Sequence, residues 1–261
     1  MIQLKSPREI DVMGEGGRIL GQTLRRLAES ARPGISTLEL DVIAEQFIRS
    51  HEGATPAFKG LYGFPATVCV SVNEEIVHGI PSGRRVLREG DIVSLDVGVK
   101  FGGLYTDAAI TVPVGKVDDD SARLMGVAQR ALAAGVEAAS AGNHIGDIGH
   151  AIHAVVAEAG LVTADDLVGH YVGYSPHGDP QVPNVGKPRR GLRLAPGLTI
   201  AIEPMVNLGT SRTRTLPDKW TVVTGDGCRS AHFEHTVLTT GQGPEILTIP
   251  GLIESPVRVS A

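Results

Sequence analysis

Four carboxylates stand inside stretches that otherwise read as buried strand. Asp96 interrupts the run from Asp91 to Val99, and Asp107 opens the run to Val112. Glu203 lies between Leu198 and Val206, and Glu234 between His232 and Leu238. Moving a carboxylate from water into an apolar setting is costly unless its charge is compensated. No Lys or Arg is interleaved in any of these runs. A single buried aspartate is ordinarily capped or salt-bridged; four at comparable strand positions call for a shared cation.

Spacing sharpens that expectation. With Phe101-Gly102 as a two-residue turn and Lys100 pairing Gly103, Asp96 falls directly opposite Asp107. Opposed residues of an antiparallel pair have Cβ atoms roughly 4.5–5.5 Å apart. Two carboxylates that close repel, and one stays protonated unless a cation lies between them. Oxygen-rich ligation with an imidazole suits manganese, iron, cobalt or zinc rather than a closed zinc–thiolate site. Two such ions about 3.5–4 Å apart are a recurring hydrolytic arrangement.

The surrounding chain predicts an α+β architecture. Ser6, Pro7 and Glu9 announce a helix that stops before Pro33-Gly34, and Ser36 with Glu39 announces a second. In the second, Leu40, Ile43, Ala44, Phe47 and Ile48 share one face. Strand-like runs follow at 67–71, 91–99 and 105–114. The order then repeats: helical stretches at about 121–141 and 148–159, then strands at 199–206, 219–223 and 231–239. Helix pair then strands, twice, predicts one domain over 1–261 with related halves of roughly 1–115 and 116–261.

Composition narrows the function. Lys+Arg 24 against Asp+Glu 29 gives a net charge of −5, which disfavours a sequence-independent nucleic-acid binder. Two cysteines, Cys69 and Cys228, support neither a disulfide framework nor a thiolate zinc site. The first twenty residues are too charged for a signal segment, and no run has the length of a membrane span. A cytoplasmic protein without membrane or specific nucleic-acid partners is expected.

Five of the nine histidines lie beside the acidic strands: His78, His170, His177, His232 and His235. Around them the chain reads Asn73-Glu74-Glu75-Ile76-Val77-His78-Gly79-Ile80-Pro81, Ser94-Leu95-Asp96-Val97-Gly98 and Thr106-Asp107. Then come Gly169-His170, Ile202-Glu203-Pro204-Met205, Asp218-Lys219-Trp220-Thr221-Val222 and Phe233-Glu234-His235-Thr236. In this order and spacing, over nearly the whole chain, the sequence closely resembles type I methionine aminopeptidases.

The resemblance implies the pita-bread (creatinase/aminopeptidase) fold, two pseudo-symmetric halves around a central antiparallel sheet. It implies two divalent ions (cobalt, manganese, iron or zinc) held by Asp96, Asp107, His170, Glu203 and Glu234, with Asp107 and Glu234 bridging. His78 and His177 would contact substrate, and Glu203 would also shuttle a proton as metal-generated hydroxide attacks the first peptide carbonyl. The methionine pocket would draw on Phe58, Leu61, Phe64, Cys69, Pro176 and Trp220. Asn73, Glu75 and Ser230 match a monovalent-cation site (sodium or potassium). The implied partners are nascent polypeptide N-termini and the ribosome, and the implied state is a monomer.

The segment from Gly169 to Pro180 departs from that family at Tyr171, Ser175-Pro176 and Gly178, and Leu61 stands where an aromatic is common. Two rival readings remain open on sequence. An X-Pro peptidase of the prolidase type normally carries a large extra N-terminal domain, whereas 77 residues precede His78 here. A non-catalytic, peptide-binding protein of the same fold would be expected to have lost ligand positions.

Overall fold

The computed structural model describes residues 3–248. Helix α1 (Pro7–Ser30) begins where expected, with the Glu9 carboxylate accepting from the Ser6 N–H at 2.8 Å. Helix α2 (Thr37–Arg49) has the reciprocal box: Glu39 N–H donates to Ser36 Oγ, and Ser36 N–H donates to the Glu39 carboxylate. Helices α3 (Asp119–Ala138) and α4 (Ile145–Glu158) form the second pair. The repeated order of helix pair then strands therefore holds, within a helix and sheet mixture of the expected class.

Among the described residues every strand pair is antiparallel. The main sheet has nine strands. Its path runs Ala54–Pro56, Ile92–Phe101, Leu104–Pro113, Glu234–Thr240, Thr199–Ile202, Val168–Tyr171, Gly178–Pro183. Val68–Val72 also pairs with Ile92–Phe101, and Gly243–Ile246 with Glu234–Thr240. A continuous hydrophobic core joins α1 (Ile19, Leu20, Leu24) to the hairpin (Leu95, Val97), to α3 and α4 (Leu132, Ile152) and to Ile200 and Val237.

The central hairpin differs from expectation by one residue in its turn. Gly102 and Gly103 occupy the two turn positions with φ of 55° and 86°, and Phe101 pairs Leu104. Positive φ at both positions is what a type I′ turn requires, and two glycines supply it without strain. Asp96 consequently faces Ala109, and Asp107 faces Gly98. The two aspartates are diagonal neighbours rather than directly opposed. Because the pairing shifts by two residues, both remain on one face of the sheet.

Two expected strands are also interrupted. The run 199–206 is split into Thr199–Ile202 and Met205–Asn207, and 231–239 into Ser230–His232 and Glu234–Thr240. Pro204 has no N–H to give to a ladder. At that point the chain leaves the main sheet for a small sheet ordered Ser230–His232, Met205–Asn207, Val162–Thr163. Phe233 makes the matching crossing, its N–H donating to the Pro204 carbonyl at 3.4 Å. Glu203 and Glu234 thus stand at crossings between sheets, not in mid-strand.

Helix α1 lies so close to the segment after Gly243–Ile246 that a Cβ on Gly17 would sit 2.1 Å from the Leu247 carbonyl oxygen. Gly14, in the same helix, has nothing within 4 Å of that position. Replacing a helix-interior glycine by alanine ordinarily gains about 0.5–1 kcal/mol. Gly14→Ala should therefore stabilise in denaturant titration, whereas Gly17→Ala should destabilise by about 1–3 kcal/mol through overpacking. Equal effects of the two substitutions would contradict this packing.

Candidate metal centre

The sheet order brings the candidate side chains together one strand at a time. Asp96, Asp107, Glu234, Glu203 and His170 come from five successive strands, or the residue just beyond one. In the pairing row that crosses the hairpin, Ala109 faces Asp96 on one side and Glu234 on the other. An alanine there leaves open the space between two carboxylates. Thr236 fixes the neighbouring backbone: its hydroxyl donates to the Asp107 carbonyl and accepts from the Asp107 N–H, at 2.8 and 2.9 Å.

Three overlapping groups of donor atoms each fall within 4.8 Å: Asp96–Asp107–Glu234, His170–Glu203–Glu234 and Asp107–His170–His177. Asp107, Glu234 and His170 each belong to two of them. The His170 Nε2 lies 3.3 Å from Glu203 Oε1 and 4.0 Å from Asp107 Oδ2. Its Nδ1 is 3.0 Å from the Tyr171 carbonyl, so Nδ1 carries the proton and Nε2 presents a lone pair to the carboxylates.

Burial raises the affinity of these carboxyls for protons. It pushes Asp96 up to about 6 and Glu203 up to about 7. Asp107 and Glu234 are pushed well above the usual carboxylate range, first by burial and then by one another's neighbours' charge. One oxygen each of Asp96, Asp107 and Glu234 is buried with no hydrogen-bond partner. Buried oxygens without donors, in a set of carboxylates plus an imidazole, fit divalent cations of the hard-to-borderline kind.

A cavity of about 320 Å³ opens from this cluster. Its other wall is apolar: Phe58, Leu61, Phe64, Cys69 and Trp220, with Val77, Leu167 and Met205. Phe64 meets Trp220 edge-on at 5.1 Å between centroids, and Asp218 holds the Trp220 backbone N–H at 2.9 Å. Pro176, expected in this wall, is not among the lining side chains, and Tyr62 stands at the rim instead. Burial, followed by the charge of Asp96, pushes the Cys69 thiol up, which makes it a wall atom rather than a nucleophile.

His78 and His177 both line the cavity. His78 holds a left-handed backbone (φ 59°), a region that favours glycine, and burial lowers its imidazole to about 4. Gly79 after it is obligatory, since a Cβ would lie 2.3 Å from the Val70 carbonyl oxygen. His177 packs on His170 with ring centroids 4.5 Å apart. Its loop is tied to the N-terminal segment. Lys5 Nζ lies 3.8 Å over the Tyr171 ring and donates to the Val172 carbonyl, while Tyr174 donates to Glu9 at 2.7 Å.

Two histidines resolve differently from one another. His235 is buried away from the cluster, with Nδ1 2.8 Å from Thr248 Oγ1. His232 lies within it, its Nε2 3.6 Å from Glu203 Oε2 and 3.9 Å from Glu234 Oε2. The sequence reading gave His232 no role, although its place two residues before Glu234 is the period that repeats a face in extended chain. Asn73, Glu75 and Ser230 lie near one another but are engaged locally: Ser230 N–H donates to the Asn73 carbonyl, and Val72 N–H to Glu75.

Known proteins resemble this chain over most of its length. Residues 11–241 match the model of metallopeptidase family M24. The methionine aminopeptidase of Clostridium perfringens is 50% identical over 249 residues, 95% of this chain and 99% of that protein. Methionine aminopeptidase 1 of Bacillus subtilis is 50% identical over 248 residues, with the same coverage. The crystal structure of the methionine aminopeptidase of Thermotoga maritima superposes with a TM-score of 0.94 at 42% identity, covering 96% of this chain and all of that one. Prolidase from Pyrococcus furiosus shares the fold alone, with a TM-score of 0.77 at 21% identity, covering 95% of this chain and 65% of that one.

An antiparallel sheet curled around a carboxylate–imidazole cluster is the pita-bread fold of the M24 metallopeptidases. The chain belongs to that family, in its type I methionine aminopeptidase branch.

Two predictions follow from the geometry. Gly98 stands across from Asp107, and a Cβ there would meet the Phe58 ring at 2.6 Å. Gly98→Ala should push Phe58 into the cavity and raise KM for a methionyl peptide by about tenfold or more, the cost of a 1.4 kcal/mol misfit. Metal stoichiometry should be unaffected; an unaltered KM would show that Phe58 does not shape the pocket.

The second concerns pH. Carboxyls with raised folded-state values favour the metal-free fold below their unfolded values near 4, and that contribution is lost as pH rises through about 6 and 7. A divalent ion must displace those protons. The rise in Tm on adding Mn(II) or Zn(II) should therefore grow from pH 5.5 to pH 8. A pH-independent rise in differential scanning fluorimetry would contradict it.

Proposed function

We propose that this protein is a metal-dependent aminopeptidase that removes the initiator methionine from new polypeptides whose second residue is small. The observation that carries this is the single cavity with a carboxylate–imidazole cluster at one end and an apolar, aromatic wall at the other. Relatives at 50% identity over nearly their full length bear the corresponding name.

Asp96, Asp107, His170, Glu203 and Glu234 would hold two divalent ions, with manganese, cobalt, iron and zinc all compatible with this donor set. Asp107 and Glu234, each in two donor groups and each with two oxygens to offer, would be shared between the ions, whereas His170, also in two groups, has only Nε2 free. When bound, the ions acidify water and polarise a peptide carbonyl. Glu203, whose carboxylate lines the cavity, would accept and return a proton. His78, uncharged with its value near 4, and His177 offer ring N–H groups to the scissile amide and the oxygen on which charge develops.

Phe58, Leu61, Phe64, Cys69 and Trp220 would surround the thioether and exclude water, a setting suited to a polarizable unbranched side chain. No helix among the described residues is long and apolar enough to cross a membrane. Action in the cytoplasm, as a monomer on emerging N-termini, belongs to the same proposal.

The test is release of methionine from Met-Ala-Ser by protein loaded with Mn(II), Co(II) or Fe(II), with Met-Pro and Ala-Pro as comparisons. Methionine release that Glu203→Gln reduces by at least about a hundredfold is expected for the loss of a proton carrier. Cleavage confined to X-Pro dipeptides would overturn the reading in favour of a prolidase-type activity.

A further inference from the structure

His232 is a buried group beside the donor cluster that the mechanism above leaves unused. It is 2% exposed, lines the cavity, and neither ring nitrogen has a hydrogen-bond partner. A buried imidazole with nothing to bind is unusual, because each unmade hydrogen bond carries a desolvation cost.

Its surroundings give it a direction. Nε2 points between two carboxylates, 3.6 Å from Glu203 Oε2 and 3.9 Å from Glu234 Oε2. A lone pair aimed at two carboxylates would be repelled, whereas an N–H is attracted, so Nε2 carries the proton and Nδ1 is the acceptor. The same Glu203 faces His170 with its other oxygen, at 3.3 Å. Glu203 is therefore flanked by one imidazole on each oxygen.

The backbone of His232 is held from both sides by one side chain. Its N–H donates to Thr111 Oγ1 at 2.9 Å, and its carbonyl accepts from that hydroxyl at 2.8 Å. Thr111 in turn is 2.8 Å from Ser94 Oγ. The imidazole is thus mounted on the rigid hairpin that also bears Asp96 and Asp107. Glu203, by contrast, stands between Thr199–Ile202 and Met205–Asn207, outside both ladders, its backbone carbonyl accepting from Asn184 Nδ2 at 3.1 Å. The last torsion of a glutamate side chain is soft, and a small rotation brings Oε2 within hydrogen-bond reach of Nε2.

We infer that His232 is a positioning residue for Glu203, its Nε2–H gripping the carboxylate oxygen that does not face His170. This rests on the reading of Glu203 as metal ligand and proton carrier. A held carboxylate presents Oε1 in one orientation; a free one samples several, at a cost both to metal affinity and to proton transfer. Outer partners of metal ligands are typically worth about 10–100-fold in affinity or activity.

The experiment compares wild type with His232→Gln, which keeps an N–H donor, and His232→Leu, which does not; His232→Met replaces His232→Leu if the latter fails to fold. Mn(II) titration calorimetry should show one of two ions bound about 10–100-fold more weakly in the apolar variant. With the metal saturating, kcat on Met-Ala-Ser should fall by about tenfold or more while KM stays within about twofold, as expected when an interaction is lost in the transition state only. His232→Gln should recover most of both losses.

An apolar variant that binds and cleaves like wild type would overturn the inference. So would a glutamine variant as defective as the apolar one, since that would make the imidazole nitrogen itself a ligand. A wild-type protein that binds two ions without cleaving Met-Ala-Ser would instead sink the peptidase reading, and the calorimetric comparison would still decide the role of His232.

Discussion

The structure is organised around the cost of burying carboxylates. Asp96, Asp107, Glu203 and Glu234 gather in one place with imidazoles and no basic side chain among the cavity's lining residues. Such a cluster is tolerated only if protons or metal ions take up its charge. Much of the surrounding architecture meets that requirement while keeping the donors exposed to the cavity. Ala109 keeps the row between Asp96 and Glu234 open, Thr236 and Thr111 fix backbone beside it, and the Tyr171 carbonyl sets the tautomer of His170.

The same economy shapes the pocket. Gly98 allows Phe58 to lie close against the hairpin on the acidic face, so the apolar wall begins next to the donor cluster. That closeness permits a side chain to be recognised while the adjacent peptide bond lies over the metal donors. The histidine loop follows a different logic. Its residues from Tyr171 to Tyr174 are braced by Lys5 and Glu9, so the departures from the family pattern form a local set of contacts reaching to the N-terminal segment.

Much of the donor set was legible in the sequence because the penalty for misplaced charge is local: an aspartate amid Val, Ile and Leu is conspicuous without knowing its partners. Helix starts were legible for a similar reason, since Ser36 and Glu39 satisfy each other within one turn. The hairpin register was misjudged because two adjacent glycines allow the turn at 102–103 as well as at 101–102, and only the twist of the pair decides. Pro204 signalled a break that the strand reading passed over. His232 escaped because its significance comes from Glu203, twenty-nine positions earlier, and no local pattern joins them.

The order of the donors along the sheet also has a bearing on how the protein matures. The five side chains span positions 96 to 234 and meet only when strands from both ends of the chain have paired. Contacts of such wide sequence separation form slowly, because loop-closure entropy must be overcome first. Metal held by these five side chains would need those long-range pairings in place before it could bind with native affinity. Metal uptake would then follow assembly of the sheet, with the unfolded chain offering little competition for the same ions.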